Sequence, residues 1–254
     1  MILSAKKILN SKLSIRLRNL FGIRPIAINN LHLSNGYTIS DSFLWRTDNQ
    51  FVTTFKYTDI IDLFYNIKNS KVEILFFDKF NHFLKKIKIS DLKISNNLIL
   101  DKAFFDGTED YGVFNIFHKS DSKFNFTIAN RCYTGFSQNG NQSSFVHGNT
   151  YVNYKSFNSD GIKSDIIGTS YLKKNNYFVQ NYFNEKDKVE LFFCNPTKTK
   201  VNFSIGKKSY SLNKGCSIII DVSGLNKIEI VSNCYFLRPI IFCYSNGYLD
   251  VYHG

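Results

Sequence analysis

Histidine occurs only five times in this 254-residue chain, yet two separate segments end on His-Gly. They are Ser143-Ser144-Phe145-Val146-His147-Gly148 and Asp250-Val251-Tyr252-His253-Gly254. Imidazole titrates near neutral pH and is a common metal ligand, so a repeated histidine first suggests proton transfer or metal binding. His32, His82 and His118 stand singly, however, and neither HxH nor HExxH spacing occurs. No metal site and no cofactor is expected from such spacing. GxGxxG and P-loop glycine patterns are missing too, so the sequence offers no nucleotide cradle.

Other catalytic pairings are as thin. Ser143 and Ser144 precede His147, but strand neighbours point to opposite faces and no GxSxG elbow presents either serine. Cys132 with His147 is the thiol counterpart, although an apolar, buried cysteine fits that residue better. Asp106, Glu109 and Asp110 in "DGTEDYG" offer carboxylates for acid–base chemistry, in a turn-like segment where solvated acids are ordinary.

Binding chemistry is better represented. In "FLWRTDNQ" the single tryptophan, Trp45, is followed by Arg46 and Asp48. A ring face beside a cation and a carboxylate suits a polar, ring-shaped ligand such as a sugar. "NRCYTG" adds Asn130, Arg131 and Tyr133 in the same half as His147. These seven residues form the candidate ligand site. The plainer alternative for Trp45 is a core ring flanked by a surface ion pair.

The elements that must position these residues are mostly strands. Residues 4–21 carry the one clear helical stripe, Leu9, Leu13, Leu17, Leu20 and Phe21, stopped by Gly22 and Pro25. From residue 37 the pattern changes to period two with turn residues between runs. "KVNFSI" and "FNFTI" alternate apolar and polar residues, and "VEILFF" and "CSIIIDV" are short apolar runs. "YTDIIDLFYNI" (57–67) reads as a short helix crossing between strands.

Segments recur in the same order. "KVEILFFD" (71–78) matches "KVELFFCN" (188–195), "FVTTF" matches "FVQNY", and "IANRCY" matches "IVSNCY". Each Cys-Tyr is followed by Asn-Gly, at 139–140 and 246–247, and then by His-Gly. Asn-Gly favours the type I′ turn, since both residues tolerate positive φ. Two closing hairpins are therefore expected, one over Ile240–Tyr244 and Tyr248–His253, the other from Cys132 to His147. The histidines sit at different distances from their turns, which places them on opposite strand faces unless a bulge or altered loop intervenes. A symmetric two-histidine site is not expected, and His147 is the better candidate for chemistry.

These patterns predict an all-β chain of two tandem antiparallel β-sandwich domains, residues 37–150 and 151–254, behind a basic amphipathic arm at 1–36. Net charge is +12, and six basic residues precede the first acid, Asp41. Such an arm suits an anionic membrane surface or a partner, or it packs on its own body. The body lacks zinc-knuckle, helix-turn-helix and RNA-recognition patterns, which disfavours nucleic acid. Five cysteines without a CxxC pair suggest reduced thiols in the cytoplasm. The expected function is non-catalytic binding or assembly, with a glycan or a glycan-processing protein as partner. The rivals are a carbohydrate-active enzyme with its site in the first domain, and a structural protein assembling through sheet edges.

Overall fold

A computed structural model describes residues 39–121, 132–149, 151–153, 157–158, 161–162, 168–170, 172, 174–179, 187–195, 197, 199–225, 227–234 and 237–254, with positions 8, 11, 13, 14 and 17 of the N-terminal segment. Ile8, Leu13, Ser14 and Leu17 are helical and Ser11 is a bend; the other positions of the helix expected at 4–21 lie outside the described residues. No helix among the described residues is long and apolar enough to cross a membrane.

The chain is all-β, and every strand among the described residues pairs antiparallel. It opens with β1 (Ile39–Arg46), β2 (Phe51–Tyr57), a short helix α1 (Ile60–Tyr65), β3 (Lys71–Asp78), β4 (Phe83–Ile89) and β5 (Asn96–Leu100). There follow β6 (Tyr111–Lys119), β7 (Tyr133–Gln138), β8 (Ser144–His147), β9 (Tyr151–Asn153), and the small pair β10 (Phe157–Asn158) and β11 (Gly161–Ile162). The second half holds β12 (Asn175–Val179), β13 (Lys188–Cys194), β14 (Val201–Ile205) and β15 (Lys208–Leu212). It ends with β16 (Ser217–Asp221), β17 (Ile228–Ser232), β18 (Ile240–Ser245) and β19 (Tyr248–His253).

Sheet I runs β4-β3-β6-β1-β9 and faces sheet II, β5-β2-β7-β8. Sheet III, β16-β13-β18-β19, faces sheet IV, β12-β17-β14-β15. β9 lies past residue 150 yet pairs with β1, Ser40 opposite Val152, so it completes the first sandwich. The helix expected near 57–67 is α1. Asp59 caps it by accepting from the Asp62 N–H, and Asn66 ends it at φ 53.

Three buried clusters hold the molecule together. Phe43, Phe55, Ile74, Phe76 and Phe114 fill the first sandwich, and Leu191, Phe193, Phe203, Ile230 and Ile241 fill the second. Between them, Leu44, Leu75, Phe77 and Phe117 from the outer face of sheet I meet Phe192, Ile240, Phe242 and Val251 of sheet III. This middle cluster explains the best-matched repeat. Strands β3 and β13 are each buried on both faces, so both read as continuous apolar runs after a Lys-Val-Glu start. The closing hairpins are not equivalently placed. β18–β19 extends the sheet of β13, whereas β7–β8 belongs to sheet II, opposite the sheet of β3.

Candidate functional site

Trp45 is 1% exposed. Its Nε1–H donates to the Phe77 carbonyl at 2.9 Å, and its ring stacks on Phe105 at 3.9 Å between centroids. β1 turns it inward with Phe43, so it is a core ring and offers no free face to a sugar. Arg46, its neighbour, points to the other face of sheet I and is also buried. Its guanidinium meets both Asp48 carboxylate oxygens, at 3.0 and 2.8 Å, and Glu190 Oε2 of β13 at 2.8 Å. It packs on the rings of Phe51 and Phe242, 4.1 and 4.8 Å from their centroids.

Glu190 also accepts from Tyr244 Oη at 2.7 Å and pairs with Lys188 Nζ at 2.6 Å. Burial alone would lower the Arg46 pKa, but Asp48 and Glu190 more than offset it and keep the guanidinium charged. Burial likewise opposes the Glu190 charge, and Arg46, Lys188 and Tyr244 outweigh it, holding that carboxyl below its ordinary range. Arg46 thus joins the two sandwiches through Glu190, with Asp48 holding it from its own side, and the ion pair expected at the surface is largely internal.

Two of the three acids of "DGTEDYG" are engaged as well: Asp110 pairs with Lys79 at 2.9 Å and Glu109 with Lys102. Burial pushes the Cys132 thiol up, with Asp41 adding to the effect, so it keeps its proton. No group of three His, Cys, Asp or Glu side chains among the described residues is placed to hold a metal ion. Asn130 and Arg131 lie outside the described residues.

Tyr133 and His147 are opposite one another across β7 and β8, with ring centroids 4.3 Å apart. His147 in turn lies 6.5 Å from His253, the two rings within 5° of parallel. Turn spacing does put these histidines on opposite strand faces, His147 opposite the buried Val146 and His253 on the same face as the buried Val251, yet the rings meet because their strands adjoin. Both Asn-Gly turns have the positive φ of type I′, 54° and 74° at Asn139 and Gly140, 51° and 79° at Asn246 and Gly247. β19 starts directly after its turn, whereas residues 141–143 intervene before β8. The glycine after each histidine is required by close packing. A Cβ on Gly148 would collide with Asp41 and Phe43, and one on Gly254 with Pro239.

β8 and β19 therefore run side by side in the same direction along the junction of the sandwiches. Side chains rather than a backbone ladder join them. Asn141 Nδ2 donates to the Gly247 carbonyl, and Ser144 Oγ accepts from the Val251 N–H at 2.9 Å and lies 3.2 Å from Asp250. The histidines meet at one end of this seam and the Asn-Gly turns at the other.

Between those turns lies a groove of about 510 Å3, lined by Asn141, Gln142, Ser143, Ser144, Asn246 and Tyr248 among others. Tyr248 is 79% exposed, because the first residue after the turn faces away from the apolar side held by Leu249 and Val251. Sequence reasoning passed over this groove. Its signal was a tyrosine directly after one Asn-Gly and two amides directly after the other. Comparisons with protein-family models, with curated proteins and with solved structures find no match to this chain.

Proposed function

We propose that the chain is a non-catalytic binding module for a neutral, hydroxyl-rich ligand of the glycan class, held in the groove between the two Asn-Gly hairpins. The observation that carries this is the exposed Tyr248 ring standing among the amides of Asn141, Gln142 and Asn246 and the hydroxyls of Ser143 and Ser144. A phenol ring packs on the apolar face of a sugar, and amides donate and accept at adjacent hydroxyls. The volume suits a short oligosaccharide segment rather than a deep enclosed substrate. Calorimetric titration of the whole chain against a broad neutral oligosaccharide panel tests the proposal; silence across the panel from folded protein refutes it.

The rival enzyme has lost its aromatic platform, since Trp45 is stacked beneath Phe105. Edge assembly has less support, since strand β4 at the margin of sheet I carries Lys85, Lys86 and Lys88, the charges that discourage edge pairing. For the N-terminal arm, contact with an anionic membrane surface is proposed. Its support is the exposure of Leu13 and Leu17 beside a basic sequence.

A further inference from the structure

The outer face of sheet IV carries a larger concavity, about 740 Å3, formed by the second sandwich alone. Alternation along the strands turns the Val201, Phe203 and Ile205 side chains of β14 inward and leaves Asn202 and Ser204 outward. Asn202, Ser204, Ser211 and Asn233 line the concavity with Lys174 and Lys200, and no described lining residue is a carboxylate. The imbalance extends along the chain. Residues 191–220 contain Lys198, Lys200, Lys207, Lys208 and Lys214 with no Asp or Glu, and 166–184 contain Lys173 and Lys174 with none. Sheet IV holds one acid, Glu229 of β17, which accepts from Asn176 Nδ2 at 2.7 Å.

Hydroxyls and amides around two ammonium groups, with no acid among the described lining residues, favour a ligand that is both anionic and rich in hydroxyls. We propose that this concavity is a second ligand site, which takes an acidic saccharide carrying carboxylate or sulfate groups. It shares no lining residue with the hairpin groove. A nucleic-acid strand fits it poorly, because stacking of bases needs open ring faces. Phe203 is buried in the second core, and Tyr210 lies stacked on it, 5.3 Å between centroids.

The test is calorimetry at low ionic strength on the full chain, with a sulfated heparin hexasaccharide, an oligogalacturonate and single-stranded DNA of matched charge. Lys174→Gln with Lys200→Gln should weaken acidic-saccharide binding by about tenfold or more. Lys207→Gln with Lys208→Gln, at the β14–β15 turn and the first residue of β15, both outside the lining, should leave most of it. Tyr248→Ala should leave it unchanged, which separates this site from the hairpin groove. Preference between the sulfated and carboxylated arms identifies the anionic group. The proposal is overturned if folded protein binds neither saccharide, if the turn lysines matter as much as the groove pair, or if DNA binds more tightly than both.

Discussion

His147 and His253, from the last strand of each closing hairpin, face each other across the junction of the sandwiches, nearly parallel and 6.5 Å apart. Burial lowers the His253 pKa from 6.5 to about 4, with Arg238 and His147 adding to the effect. An imidazole that is harder to protonate when folded supports stability fully above pH 6.5, and that support is lost as pH falls toward 4. His253→Asn should remove this acid slope from the melting temperature; identical slopes in the two proteins would refute the assignment.

Asp41 works in the opposite sense over the same range. Burial raises its carboxyl from 3.8 to about 7, so its contribution is full below pH 3.8 and lost as pH rises through 7. Asp41→Asn should stabilise the protein above pH 7 by something on the order of 2–4 kcal/mol and change little at pH 4. With Asp41 removed, the melting temperature should climb with pH, following His253. With His253 removed, it should fall with pH, following Asp41. Melting curves across pH 4–8 for both variants check the pair.

The Arg46–Glu190 contact predicts an asymmetric double-mutant cycle. Glu190→Ala leaves a buried guanidinium with one partner fewer and should cost about 3–5 kcal/mol in urea unfolding. Asp48→Ala should cost only about 1 kcal/mol, because Asp48 is 22% exposed and water can take its place. Arg46→Met combined with Glu190→Leu should recover most of the loss, since neither charge then remains buried.

Tyr248→Ala should weaken neutral-glycan binding by about tenfold. Its melting temperature should stay at the wild-type value, because the ring has little core contact to lose. A loss of binding that comes only with a drop in melting temperature would assign Tyr248 a structural role.

Deleting residues 1–24 should abolish binding to vesicles rich in anionic lipid, and added salt should weaken binding of the full chain. Cosedimentation reads both effects, and unchanged binding by the truncated protein rejects the membrane role.

Local patterns in the sequence carried the strands well. The alternation in "KVNFSI" became β14, and Asn246-Gly247 became the two-residue turn between Ser245 and Tyr248. What stayed hidden depends on distance along the chain. Arg46 finds Glu190 144 residues away, and nothing near "FLWRTDNQ" reveals that partner. His147 meets His253 because β8 and β19, from different sheets, lie side by side, which no spacing within either segment encodes. Trp45 looked like a ligand platform because a single tryptophan next to charges reads the same whether β1 turns it inward or outward.

The shared apolar layer between sheets I and III changes what counts as a folding unit. A fragment ending after Asn153 would leave Leu44, Leu75, Phe77 and Phe117 facing water, and the complementary fragment would leave Phe192, Ile240 and Phe242 bare. Neither half should be soluble when expressed alone, and the intact chain should melt in one calorimetric transition. By topology the molecule has two sandwiches; by thermodynamics it is expected to behave as one.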